Sequence, residues 1–192
     1  MTENHAQRRI TQIRIGGFGG QGVVLAGALL GHAAVRDGHW VSGSNAYGAQ
    51  ARGGAARSEV VISDGPIAFP HVLRADILAA MSQSAYDTFK DNLADKGASV
   101  VYDASQVVPV PLEGVRHVAI PATDTAVSEL QNKQVANIVM LGALTALFGV
   151  VSVKALKAAI EDQVARRFRE LNLEALELGI EIGRHTFEDG EP

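Results

Sequence analysis

The sequence predicts an α/β fold, a three-layer α/β/α arrangement with a mostly parallel Rossmann-like sheet, and three observations carry that expectation. Short apolar runs of strand character alternate with helical periodicities from Ile10 to Arg184. A glycine-rich turn follows the first run and opens the first helix. The length, 192 residues, suits one sizeable α/β core and is short for two.

The elements follow in order. Ile10, Ile13 and Ile15 supply a first strand, and Val23, Leu25, Ala26, Leu29 and Leu30 an apolar helix after it. His39-Trp40-Val41 is the next strand and runs into the polar stretch Ser42-Gly43-Ser44-Asn45. Ser58 to Ser63 is a strand closed by the turn residues Asp64-Gly65-Pro66. Pro70 to Arg74 leads into Asp76 to Met81, a short apolar run typical of a buried strand. Ser82 to Tyr86 then lies at that strand's carboxyl end, where α/β folds place ligands. A helix is expected over Ala85 to Ala94, a strand over Ser99 to Asp103 after the Gly97 cap, and another over Arg116 to Pro121. Thr123 to Gln131 and Val135 to Phe148 are helical, the second apolar on nearly every face and therefore buried. Lys154 to Gln163 and Phe168 to Arg184 are amphipathic helices that close the fold. The expected organisation is a flexible N-terminus at 1–9, a single α/β domain at 10–186 and a frayed tail at 187–192.

Composition excludes several function classes. The net charge of −4 and a pI near 5.8 give no basic field for nucleic acid. The longest apolar stretch, Ile138 to Val151, is shorter than the roughly 20 residues of a membrane span. Met1 to Arg9 lacks the apolar segment of an export signal, so a cytoplasmic location is expected. There is no cysteine, hence no disulfide, thiol nucleophile, thiolate zinc site or cysteine-held iron–sulfur cluster on this chain. His5, His32, His39, His71, His117 and His185 lack the close helical pairing of a metal site, and no catalytic series of nucleophile, base and acid is visible.

Two motifs carry chemistry. Gly17, Gly19 and Gly22 fit the G-x-G-x-x-G spacing, in a turn that also contains Gly20 and Gln21. Such a turn leaves N–H groups at a helix N-terminus, where phosphate is favoured. Glycines there can equally serve packing alone. A dinucleotide site also wants an acid about 20 residues on, and the stretch after Trp40-Val41 has none. A P-loop would need Gly-Lys-Ser/Thr where this turn has Gly22-Val23-Val24. The second motif is Tyr47-Gly48-Ala49-Gln50-Ala51-Arg52-Gly53-Gly54. Gly53 and Gly54 let the backbone approach a partner closely, Arg52 offers a fork of donors for carboxylate or phosphate, and Tyr47 an amphipathic ring. Ordinary ion pairs of Arg52 and Arg57 in a shaped loop are the bland alternative.

Together these residues resemble a known family. Gly17-Phe18-Gly19-Gly20-Gln21-Gly22 with Ala26-Gly27, then Tyr47-Gly48 and Ala51-Arg52-Gly53-Gly54, then Ser58 to Ser63, and later Asn137 to Ala143, are similar to the gamma subunit of 2-oxoacid:ferredoxin oxidoreductases. The resemblance covers roughly residues 10–182. One departure is Ala49-Gln50, where the family often has Pro-Glu. The resemblance implies a non-catalytic α/β subunit of an enzyme that oxidatively decarboxylates a 2-oxoacid to an acyl-CoA and CO2. Thiamine diphosphate, magnesium and 4Fe–4S clusters would lie on alpha, beta and ferredoxin-like delta partners. Ferredoxin or an NAD-linked subunit would accept the electrons. This chain would hold no cofactor alone but would contact CoA through Gly17, Gly19, Gly20, Gln21, Gly22, Tyr47, Arg52, Gly53 and Gly54. The segment from Tyr47 to Ser63 points first to 2-oxoglutarate. A free-standing NAD-type module and a purely architectural subunit are the competing readings.

Overall fold

The structure, a computed structural model, describes residues 9–47 and 55–188. A six-stranded sheet forms its centre, built from β1 (Ile10–Phe18), β2 (Trp40–Tyr47), β3 (Ala55–Ser63), β4 (Ile77–Ala80), β5 (Ser99–Asp103) and β6 (Arg116–Ile120), in the order β2-β3-β1-β4-β5-β6. β1, β4, β5 and β6 pair in parallel, whereas β3 is antiparallel to both β1 and β2. Five strands therefore share one direction and β3 alone reverses it, which keeps the sheet mostly parallel.

Alternation along β1 explains how its two faces are filled. Ile13 and Ile15 enter a core formed with α1 (Val23–Arg36), α3 (Ala122–Ser128), α4 (Ala136–Phe148), α5 (Val153–Gln163) and α6 (Arg166–Glu188). The opposite face carries a smaller cluster in which α2 (Gln83–Phe89) contributes Ala85, Tyr86 and Phe89 against Leu78 and Val100. These are the expected three layers, one much thinner than the other. Ser82 caps α2 and Ser152 caps α5, each Oγ accepting from a backbone N–H three residues on. α4 is buried on nearly every face, as its continuous apolarity requires, and α6 packs along it.

Three elements differ from their sequence pattern for identifiable reasons. The strand beginning at Trp40 does not stop at Val41. β3 offers the polar stretch a ladder through Tyr47, and Ser58 Oγ donates to Asn45 Oδ1 at 2.6 Å and Ser44 Oγ to Glu59 Oε2 at 3.0 Å. The helix expected over Ala85 to Ala94 ends at Phe89, because residues 92–94 leave it to pair with Ala75, with Ala94 N donating to Ala75 O at 2.9 Å. The helix expected to reach Gln131 ends at Ser128, and Gln131 itself takes φ 52°. Among the described residues, no helix is long and apolar enough to cross a membrane.

Candidate functional site

The glycine turn and the ends of β1, β4 and β6 converge on one crevice. After Phe18 the chain reverses tightly, Gln21 N donating to Phe18 O at 3.1 Å, while Gly20 and Gly22 adopt φ of 99° and 71°, which suit glycine. The Gln21 side chain folds back beneath the turn. Its Oε1 accepts from Phe18 N at 2.6 Å and its Nε2 donates to Met81 O at 2.9 Å, tying the loop after β1 to the end of β4.

This amide accounts for Gly17, where a Cβ would sit 2.6 Å from Gln21 Oε1 and 2.9 Å from Val23 Cγ2. Gly22 is required by a different neighbour. Asn137, in the first turn of α4, donates from Nδ2 to Gly22 O at 3.0 Å, and a Cβ on Gly22 would strike its side chain. Asn137 is 2% exposed and its Oδ1 has no hydrogen-bond partner among the described residues. Packing thus explains two of the motif glycines. Gly20 is the contrast, since a Cβ there would meet nothing within 4 Å. It opens onto a cavity of about 180 Å³ walled by Gln21, Met81, Thr123, Lys133, Gln134 and Ala136.

Topology explains why a cavity forms there. The chain leaves β1 for α1 on one face and β4 for α2 on the other, so the two loops diverge at the carboxyl ends of adjacent parallel strands. That is the switch point at which open α/β sheets bind ligands. The N-terminus of α1 faces it without a side-chain cap, and no hydrogen bond among the described residues occupies the N–H groups of Gly19, Gly20 or Gly22. With the Lys133 ammonium on the same wall, an anion is the ligand this end of the sheet favours. Thr123 has no free donor for an anion, because Asp103 Oδ2 accepts from both its N–H (3.1 Å) and its hydroxyl (2.5 Å).

Reversal of β3 brings the second motif to the same end. Phe18 pairs with Ala55, and Ala56 with Tyr47, so β2 ends and β3 begins at the same end of the sheet as the glycine turn. Tyr47 is 70% exposed there. Arg52, Gly53 and Gly54 lie outside the described residues. The same strand insertion separates β2 from β1, whereas a dinucleotide fold needs them adjacent to hold pyrophosphate and ribose together. The architecture therefore disfavours an NAD module independently of the missing acid. Lys133 and Asn137 were not singled out for the site by sequence; the usable signal was a lone amide opening an otherwise apolar helix.

Because Gln21 makes two loop hydrogen bonds, Gln21→Ala is expected to cost about 1–2 kcal/mol, read as a lowered melting temperature in thermal unfolding. An unchanged melting temperature would mean that the turn holds its shape without the amide.

Residues 12–182 match the family model of pyruvate ferredoxin/flavodoxin oxidoreductase. The chain is 45% identical to the 2-oxoglutarate synthase subunit KorC of Methanocaldococcus jannaschii over 175 residues, 90% of this chain and 94% of that one. It superposes with TM-score 0.79 and 38% identity on the gamma subunit of a keto/oxoacid ferredoxin oxidoreductase from Geobacter sulfurreducens, covering 90% of this chain and 98% of that one. A 2-oxoglutarate:ferredoxin oxidoreductase from Magnetococcus marinus, solved with 2-oxoglutarate, coenzyme A and succinyl-CoA bound, gives TM-score 0.83 at 29% identity, with 92% of this chain matching 31% of that longer one. The chain belongs to the pyruvate ferredoxin/flavodoxin oxidoreductase family, as a subunit of the gamma type.

Proposed function

We propose that this chain is the non-catalytic gamma subunit of a 2-oxoglutarate:ferredoxin oxidoreductase, which converts 2-oxoglutarate and CoA to succinyl-CoA and CO2 in the cytoplasm. Identity of 45% along nearly the full length of a 2-oxoglutarate synthase subunit carries the reading. Alpha and beta partners supply thiamine diphosphate and magnesium, and they or a ferredoxin-like delta subunit supply the 4Fe–4S clusters. The absence of cysteine in this chain is consistent with that division. Ferredoxin, or an NAD-linked subunit, takes the electrons.

The part left to this chain is to receive CoA. The N–H groups of Gly19, Gly20 and Gly22, unpaired among the described residues, the α1 N-terminus and Lys133 suit a phosphate, and the guanidinium of Arg52, between Tyr47 and Ala55 in sequence, would suit one too. Gly17 and Gln21 serve by shaping the turn, and Tyr47 by offering an exposed ring at its side.

The test is anaerobic purification of the assembled enzyme through a tag on this chain, followed by CoA-dependent dye reduction with a panel of 2-oxoacids. 2-Oxoglutarate is expected to give the highest kcat/KM, at least tenfold above pyruvate; a preference for pyruvate or a branched-chain acid would overturn the substrate. In the same complex, Arg52→Ala is expected to raise the KM for CoA about tenfold with kcat unchanged, the worth of one charge-assisted hydrogen bond. Unchanged CoA kinetics would remove Arg52 from the site.

A further inference from the structure

Asn137 and Thr145 are the polar side chains of an otherwise apolar α4. Thr145 settles its hydroxyl within the helix, donating to Leu141 O at 2.9 Å. Asn137 does not. Its Nδ2 reaches out of the helix to Gly22 O, and its Oδ1 stays buried without a partner among the described residues. A buried amide oxygen left unpaired destabilises a fold, and an apolar side chain of similar size would avoid that cost.

Hydrogen-bond satisfaction of Gly22 does not account for the contact. Its carbonyl already accepts the first helical bond of α1, from Ala26 N at 3.0 Å. What the second bond adds is direction. With Ala26 and Asn137 both holding one oxygen, the plane of the Gly22–Val23 peptide is fixed, and the Val23 N–H on the opposite side of that trans peptide is fixed with it. That N–H is the first of the donors at the uncapped start of α1.

The same bond ties together two walls of the anion cavity. Gly20 and Gln21 belong to one wall; Lys133, Gln134 and Ala136, just before Asn137, belong to the other. Among the described residues, no other hydrogen bond joins residues 18–22 to residues 132–138. Asn137 thereby sets the gap between the glycine N–H groups and the Lys133 ammonium, two sets of donors that must meet one phosphate together.

We infer that Asn137 is a positioning residue for CoA: it lies outside the cavity lining and acts through Gly22, holding the α1 N-terminus and the Lys133 wall at the spacing that one CoA phosphate bridges. The inference rests on the CoA-receiving role proposed above.

CoA kinetics of the assembled, tag-purified enzyme test it, with Asn137→Ala, Asn137→Asp and Lys133→Ala introduced separately in this chain. Asn137→Ala removes one hydrogen bond and one unpaired oxygen together, so it is expected to melt within a few degrees of the parent. Its KM for CoA is expected to rise about fivefold, the effect of losing one hydrogen bond, with kcat and the KM for the 2-oxoacid unchanged. Asn137→Asp keeps the shape but turns an acceptor toward the Gly22 carbonyl and places negative charge behind the phosphate, so a rise of about twentyfold is expected. A lowered melting temperature with the parent KM for CoA in both Asn137 variants would make the residue purely structural and overturn the inference. An equal rise in the KM for the 2-oxoacid would overturn it too, since a loosened fold affects both substrates. In either case a raised KM for CoA in Lys133→Ala would leave the CoA role standing, whereas unchanged CoA kinetics in all three variants would overturn that role as well.

Discussion

Gly179→Ala is expected to be among the most damaging additions of a methyl group at the described glycines of this protein. Gly179 on α6 faces the backbone of Val139 on α4, and an ideal Cβ would lie over the Val139 carbonyl oxygen and within 2.8 Å of its carbon. Gly142 and Gly183 make the same close approach, their would-be Cβ atoms 2.5 Å from Leu176 O and 2.7 Å from Ala143 O. The helices touch through their main chains, and a main chain cannot rotate out of the way. Overpacking of a core costs about 1–3 kcal/mol where side chains can yield, so a loss at or above 3 kcal/mol is expected here, less the roughly 1 kcal/mol that alanine gains as a helix former. For a chain of this size that corresponds to a fall in melting temperature of roughly 4–12 °C. Gly31→Ala on α1 is the matched control, since its Cβ would meet only Val41 Cγ1, at 3.6 Å. There the helix-propensity gain stands alone, and a rise of about 0.5–1 kcal/mol is expected. A Gly179→Ala chain that melts with the parent would show that α4 and α6 are free to separate.

The second large effect is expected at the ion pair inside the sheet. Arg14 on β1 and Glu59 on β3 are each 5% exposed, with Arg14 Nε donating to Glu59 Oε1 at 2.8 Å. The remaining guanidinium donors reach Val72 O at 3.0 Å and Asn92 O at 3.4 Å, and the group lies 5.1 Å from the centre of the Phe89 ring. Ser44 Oγ donates to the second Glu59 oxygen, and Arg57 Nε stands 3.9 Å from the first. Glu59→Gln leaves the Arg14 charge buried without its counter-ion, and the expected cost is about 3–5 kcal/mol. Replacing both residues by methionine is expected to recover most of that loss, because the isolated charge rather than the absent pair is what destabilises. Urea denaturation of Arg14→Met, Glu59→Met and the double methionine variant gives the coupling directly. If Glu59→Gln costs under 1 kcal/mol, solvent or Arg57 movement must be relieving the charge, and the pair contributes little.

Much of the fold was legible because local patterns carry it. Ile13 and Ile15 alternate as residues on one face of a strand must, Ile77 to Ala80 form a continuous apolar run buried on both faces, and the apolarity of α4 on all sides predicts its enclosure. Strand order is not local. Nothing in Ala55 to Ser63 says that it will slip between β1 and β2, and the polar stretch of β2 gains its ladder only from that insertion. The same limit governed the site. The glycine turn announces itself by spacing, yet Asn137, 115 positions further on, meets Gly22 only because α4 packs beside the start of α1. Shortening of α2 likewise depends on a contact between Leu93 and Ala75 that no helical periodicity encodes.

The reversed strand also dictates when this protein can fold. β1 is made first, but its two neighbours are β3 and β4, and the register joins Ile10 to Ser63 and Gly16 to Ala80. During synthesis the earliest strand must wait, its backbone unpaired, until both later segments have left the ribosome. Pairings so distant along the chain close slowly and leave interim edges open to other strands. Synthesis halted before residue 55 would therefore release a fragment with a hydrophobic first strand and no intramolecular neighbour for it, a species expected to aggregate rather than to persist as a partly folded unit.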